Sequence, residues 1–391
     1  MSKFEFDQII DRRNTNAIKV DFSRYYGMED DMISMWVADM DFEVPKAITD
    51  AMKSRCEHPI YGYTMYDDSY VKSVQSWMKR RHSYEFKKEW LLHTPGVVFG
   101  IAMAIRALTK PEEAVMIQTP VYYPFSKMVL KNGRKLVKNS LVLQDGRYVM
   151  DYEKIEQQIV KYKVKVFILC SPHNPVGRVW TQEELIRLGD LLVRHDVKII
   201  SDEIHMDFIY PGHKHQVLAG LRKEYENRLV TCTAPSKTFN LAGLQMSNLF
   251  IANDQIRAAV KAEIEKTGYD EPNLFGPIAC QAAYDNGEAW LDELLEYLAE
   301  NIQFTKKFLQ EHMPKVKLIE PEGSYLLWVD FRAYGMSNEA LNERIRKKAK
   351  VWLDAGEMFG SEGNGFQRIN IATSRKTLEK ALNNLANAFC E

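Results

Sequence analysis

The sequence predicts an α/β fold: a large domain with a mostly parallel sheet flanked by helices, then a smaller α+β domain. Three observations predict it. The chain has 391 residues, too many for one simple core. Its middle alternates short apolar runs with helical patterns, as a helix-covered parallel sheet requires. From about Gly287 the pattern changes to one long amphipathic stretch followed by mixed strand-like and helical segments.

The apolar runs are "EAVMIQ", "VKVFILC", "VKIISD", "RLVTCT" and "NLFIA". They are short and rich in β-branched residues, which suits strands buried on both faces. Between two of them lies "TQEELIRLGDLLVRH". Thr181 and Glu184 fit a capping box, and Leu185, Leu188 and Leu192 share one helical face. "GEAWLDELLEYLAENIQFTKKFLQEH" reads as one long helix, and "SYLLWVDF", "VWLD" and "FQRINIA" as strand-like segments. The domains expected are a segment 1–45 that packs with the small domain, a large domain 46–286 and a small domain 287–391.

Hydrophobic residues make up 46% and charged residues 27%, as in an ordinary globular protein. The formal net charge of −1 provides no broad basic surface for nucleic acid or anionic lipid. Five scattered cysteines without C-x-x-C spacing argue against a disulfide framework or a zinc site. The opening "MSKFEFDQIIDRR" lacks the apolar core of a secretory signal, and no apolar run approaches a membrane span. A cytoplasmic protein without a metal is expected.

Five segments could carry chemistry. "LCSPHNPVGRVW" follows a strand, and its turn would project the Asn174 amide beyond the strand's carboxyl end, where open α/β sheets bind ligands. A plain turn is the simpler account of N-P-x-G alone. Asp202 ends "VKIISD"; it could cap the next helix or face a cation across a low-dielectric site. His205 lies near the same edge, although a lone histidine is more often structural. Lys237 follows "RLVTCT" among small residues. A lysine in a closed site loses its proton readily and can act as a nucleophile or Schiff-base partner. Gly96 precedes an apolar helix whose first turn contains Val97 and Val98, a potential anion site. Arg368, within "FQRINIA", suits a bidentate grip on a carboxylate; Arg375 in "TSRKTLEK" looks like an exposed helix start.

Together, "SPHNPVG", "SDEIH", "SKTFN" and a late "RIN", in this order and spacing, resemble the fold-type I pyridoxal-phosphate (PLP) enzymes, the aspartate aminotransferase superfamily. The resemblance covers nearly the whole chain. "MWVADMDF", "YGYT", "TPGVV", "SDEIHMD" and "APSKTFNLAGLQ" are similar to the cystathionine β-lyase-like C–S lyases of the MalY/PatB type.

That resemblance implies a role for each position. Lys237 matches the lysine that holds PLP covalently. Asp202 matches the partner of its pyridine nitrogen, and Asn174 a donor to its phenolic oxygen. His205 falls where many relatives carry a tyrosine directed at that oxygen. Tyr122 matches the ring that stacks on the cofactor, and Gly96, Val97, Val98 and Ser236 match the phosphate-binding elements. Tyr61 would reach the phosphate of a neighbouring subunit's cofactor, implying a homodimer. Arg368 matches the residue that grips the substrate α-carboxylate. Gln245 stands where many relatives of the wider superfamily have a cation contacting the phosphate. The implied activity is β-elimination from cystathionine, cystine or a related cysteine S-conjugate, with Tyr123 or Tyr61 assisting the leaving sulfur. An aminotransferase is the alternative, and a PLP-binding regulatory protein with little catalysis a third reading.

Overall fold

The structure, a computed structural model, describes residues 4–390. Residues 1–3 of the expected N-terminal segment and residue 391 of the expected small domain lie outside the described residues.

A seven-stranded sheet organises the fold. Its strands run in the order Leu91–Thr94, Ser247–Phe250, Leu229–Thr233, Lys198–Asp202, Val164–Cys170, Ala114–Thr119 and Lys135–Ser140. The last five are mutually parallel, and Ser247–Phe250 is antiparallel to both its neighbours. All five apolar runs singled out in the sequence are strands of this sheet. Leu91–Thr94 and the charged edge strand Lys135–Ser140 were not among them.

Both faces of the sheet are covered, and side chains partition between them with period two. Val115, Ile117, Val166, Ile168, Cys170, Ile200, Val230 and Cys232 pack in one core. Their neighbours Met116, Phe167, Leu169, Ile199 and Leu229 pack in the other. The helices Val97–Leu108 and Asp254–Glu265 supply Ile101, Ile105, Ile256 and Val260 to the first of these cores. The helix Gln182–Arg194 carries the expected capping box: Thr181 accepts from the Glu184 N–H, and Glu184 accepts from the Thr181 N–H.

The long helix spans Glu288–His312. Beyond it, a four-stranded antiparallel sheet has the order Lys317–Leu318, Leu326–Asp330, Phe366–Asn370, Asp354–Ala355. The N-terminal segment contributes a two-residue strand, Ile33–Ser34, paired in parallel with Val351–Trp352. The segment is further pinned by Asn370 Nδ2, which donates to the carbonyls of Val37 (2.7 Å) and Asp39 (2.6 Å). Phe6 packs on Trp290 and Tyr297 of the long helix.

This arrangement creates a crevice. Cys170 pairs in register with Asp202, and Asp202 with Cys232, so three adjacent strands end at one level. The loops leaving those ends meet the pinned N-terminal segment and the strand Phe366–Asn370. Among the described residues, no helix is long and apolar enough to cross a membrane.

Candidate active site

The crevice is a cavity of about 250 Å³. Asn174, Asp202, His205, Ser236, Lys237, Gly96, Val97, Val98, Tyr122, Tyr123 and Arg368 all line it. Eleven of the twelve positions singled out as site residues therefore converge, although they are spread over more than 270 residues of sequence. Tyr61 does not line the cavity of its own chain. It is exposed, and its hydroxyl donates to the Cys56 carbonyl at 3.1 Å.

Lys237 sits on a single helical turn, Pro235–Thr238, directly after the strand Leu229–Thr233. Its Nζ donates to the Ala38 carbonyl at 2.6 Å. Burial pushes the amine down to about 8, and the nearby Arg368 cation adds to that, against the pull of Asp39 and Asp202. The lowering favours the neutral amine, the form a nucleophile or base requires.

Asp202 answers the two possibilities left open by its sequence position. Its Oδ1 accepts from the Ile204 N–H at 3.1 Å, so it caps the turn that follows its strand. It also faces the cavity, and among the described residues it forms no ion pair. Burial raises its carboxyl to about 7. His205 is buried beside it, with Nδ1 3.4 Å from Ser324 Oγ. Burial, with Lys237 and Arg368 close by, lowers its imidazole to about 3, so it is neutral.

Asn174 directs Oδ1 at Arg368 Nη1 (3.1 Å), which leaves its amide NH₂ available to the cavity. The Asn174 carbonyl accepts from the Tyr122 N–H at 3.0 Å, tying the two loops together. Arg368 is buried at the centre of its strand, and Nη2 donates to the Trp36 carbonyl at 2.9 Å. Arg375 differs from its sequence expectation. It does begin a helix, but it is half-buried: Nε donates to Asn301 Oδ1 at 2.7 Å and the guanidinium lies over the Phe304 ring. Packing of that helix against Glu288–His312 removes it from open solvent.

Gly96 precedes the helix Val97–Leu108 with extended backbone (φ 169°), which any residue adopts. A Cβ there would meet nothing within 4 Å, so the missing side chain leaves open space beside the helix's free N–H groups. That is the geometry of an anion cradle. Ser236 and Gln245 line the same cavity.

Some lining residues had no individual signal in the sequence. Trp36, Val37 and Ala38 form one wall, and two of them act through backbone carbonyls. Cys170, Ile204, Met246 and Asp354 also line the cavity. Asp354 lies opposite Arg368 in the sheet register and pairs with it; strand periodicity identifies neither the pairing nor its depth.

The half-buried Lys237 amine, the Asp202 carboxylate without an ion partner and the helix start at Val97 meet beyond the carboxyl ends of a parallel sheet, an arrangement suited to the pyridoxal phosphate of the fold-type I enzymes. The residues fit that cofactor: Lys237 for its aldehyde, Asp202 for its ring N–H, the Gly96–Val98 cradle for its phosphate. The chain belongs to the aminotransferase class I and II family, whose model matches residues 30–385. It is 43% identical to the cystathionine beta-lyase PatB of Bacillus subtilis, over 98% of this chain and 99% of the relative. A crystal structure of a PLP-bound protein from Clostridium difficile 630 shares 47% identity with a TM-score of 0.96, covering 98% of this chain and 99% of that one. Cystalysin from Treponema denticola, whose crystal structure contains pyridoxal 5'-phosphate, shares 36% identity with a TM-score of 0.95 over 98% of both chains.

Proposed function

We propose that this protein is a PLP-dependent C–S β-lyase that cleaves cystathionine or a related cysteine S-conjugate to a thiol, pyruvate and ammonia. The observation that carries the cofactor chemistry is the convergence of Lys237, Asp202 and Arg368 on one buried cavity. Similarity to the cystathionine beta-lyase PatB along almost the whole chain favours elimination over amino transfer.

Bound PLP supplies an electron sink that acidifies the α-proton of an attached amino acid. The protein's own groups do the rest. Lys237 binds the cofactor and, once released, takes the α-proton on Nζ as general base. Its lowered pKa suits both tasks. Asp202, left without an ion partner by the protein, would hold a proton on the ring nitrogen. Asn174 donates its free amide to the phenolic oxygen, and neutral His205 borders the same region. The Tyr122 ring, which lines the cavity, would cover the cofactor ring. The N–H groups at Val97 and Val98, with Ser236, would take the phosphate beside Gly96; Gln245 would add a dipole where a formal cation is common. Arg368 holds the substrate α-carboxylate and thereby fixes which α-bond faces Lys237.

Departure of the sulfur needs a proton. Tyr123 is the candidate within the chain: burial raises its hydroxyl above the usual value, so it is protonated at neutral pH. Tyr61 is the candidate from a neighbouring subunit. It stands in an exposed apolar stretch with Ile60, Tyr63 and Met65, which supports a homodimer in which it reaches the other subunit's phosphate. We also read residues 46–286 as the PLP-binding domain and 287–391 as a small domain onto which 1–45 packs, in a cytoplasmic enzyme.

Incubation with cystathionine and no keto acid tests the activity. Pyruvate release is expected. Conversion of the cofactor to its amine form without pyruvate would instead indicate an aminotransferase.

A further inference from the structure

Arg368 is already engaged before any ligand arrives. Nη1 donates to Asn174 Oδ1 and Nη2 to the Trp36 carbonyl and to the Asp354 carboxylate, while the buried Nε has no partner. Asp354 is only 3% exposed, and its side-chain hydrogen bond to Arg368 is the only one it makes among the described residues. It ends in the same cavity as Arg368. The arginine proposed to receive the substrate carboxylate therefore carries a resident carboxylate.

The other charged and titratable groups facing Asp354 do not alter this balance. Arg346 attracts it weakly from the preceding helical stretch, and Tyr122 and Tyr123 face the pair from the loop after Thr119. Asp354 and Arg368 together are neutral. An incoming α-carboxylate places a second anion on one guanidinium that is itself almost wholly buried. Two carboxylates sharing such a site do not both stay ionised readily. Burial already holds Asp354 above the usual carboxylate range, with Arg368 pulling the other way. Whatever part of Arg368 the substrate takes weakens that pull.

We infer that Asp354 is the resting counter-ion of Arg368 and takes a proton from solvent as the substrate α-carboxylate binds. The inference rests on reading Arg368 as the carboxylate receptor. Asp354 is thus a positioning residue: it holds the guanidinium in place in the free enzyme and yields charge to the substrate. Substrate affinity then falls as pH rises, independently of the substrate's amine.

The test uses the PLP-loaded protein and propionate, a carboxylate without an amine. Titration calorimetry in two buffers of different ionisation heat measures the protons taken up. Between the Asp354 midpoints of the free and the propionate-bound protein, the wild type is expected to take up about one proton per propionate, and its Kd to rise about tenfold per pH unit. Asp354→Asn is expected to bind without uptake and with a flat Kd, while Asp354→Glu retains uptake. Propionamide, which has no charge, serves as the control. No uptake in the wild type overturns the inference, as does unchanged uptake in Asp354→Asn. Lys237 and Asp202 titrate in the same cavity, so the contrast between Asp354→Asn and Asp354→Glu assigns the proton, while absence of uptake in the wild type overturns the inference whether or not a variant folds. Failure of propionate to bind at all would overturn the reading of Arg368 too, and pyruvate release remains a separate test of the lyase.

Discussion

Lys237 and Asp202 each cost the folded chain stability at the proposed site, because burial disfavours their charged forms. Asp202 keeps its proton up to about pH 7 in the native protein, against 3.8 for a free carboxyl. Between those values the cofactor-free native state binds more protons than the unfolded chain, so its stability falls as pH rises through that window. Lys237 acts with the opposite sign. Its native value of about 8 lies below the ordinary 10.5, so its penalty is full below 8 and is relieved as pH rises toward 10.5. Asp202→Asn should therefore stabilise the cofactor-free protein at neutral pH by up to about 4 kcal/mol, with little gain near pH 4. Denaturant midpoints at the two pH values check this. The same variant should lose about 10²–10³ in kcat, because the ring nitrogen loses its anionic partner. A variant neither stabilised nor impaired would remove Asp202 from its assigned role. Lys237→Ala should lose pyruvate release altogether. At this scale the sequence was most readable where a side chain itself lines the cavity. Lys237, Asp202, Asn174 and Arg368 stand in distinctive motifs. The carbonyls of Trp36 and Ala38, which hold Arg368 and Lys237, have no side-chain signature.

Elements place those residues, and their boundaries follow from local chemistry. The five apolar runs were legible as strands because both their faces are buried. Lys135–Ser140 was not, because an edge strand with lysines at 135 and 138 lacks the continuous apolar run that marks the interior ones. Ile33–Ser34 is too short for any period and exists through its partner Val351–Trp352. Asp354 depends on a similarly short strand, closed by a glycine turn. A Cβ on Gly356 would lie 2.0 Å from the Gly363 carbonyl oxygen and 2.6 Å from that of Phe366, both backbone atoms. Gly356→Ala should cost about 2–4 kcal/mol and disturb the Asp354–Arg368 pair. A thermal melt checks the first effect; unchanged stability would mean that this turn is looser than its geometry. Thr181→Ala, which removes a capping box remote from the cavity, should cost only about 1 kcal/mol and leave kcat unchanged.

Across the whole molecule, the cavity joins parts that no single stretch of sequence connects: the strand ends at Cys170, Asp202 and Thr233, the N-terminal segment at Trp36–Ala38, and the distant strand that carries Arg368. That assembly was legible only through the order and spacing of several motifs together, since each one alone has a plainer structural account. It also makes the cofactor part of the fold's energetics. A ligand that pairs with Asp202, bonds Lys237 and fills the cradle at Gly96 binds the native state alone. Removing PLP should lower the melting temperature, and restoring it at about 100 times its Kd should return about 2.7 kcal/mol. Equal melting temperatures with and without PLP would contradict this. One visible absorption spectrum decides whether the protein performs PLP-dependent β-elimination at Lys237. It is recorded before and after adding cystathionine, with pyruvate assayed in the same tube and no keto acid present. A PLP band that Lys237→Ala abolishes, together with pyruvate, is expected. A protein that shows no PLP band after reconstitution, or that holds PLP and forms no pyruvate from any cysteine thioether, would contradict this expectation.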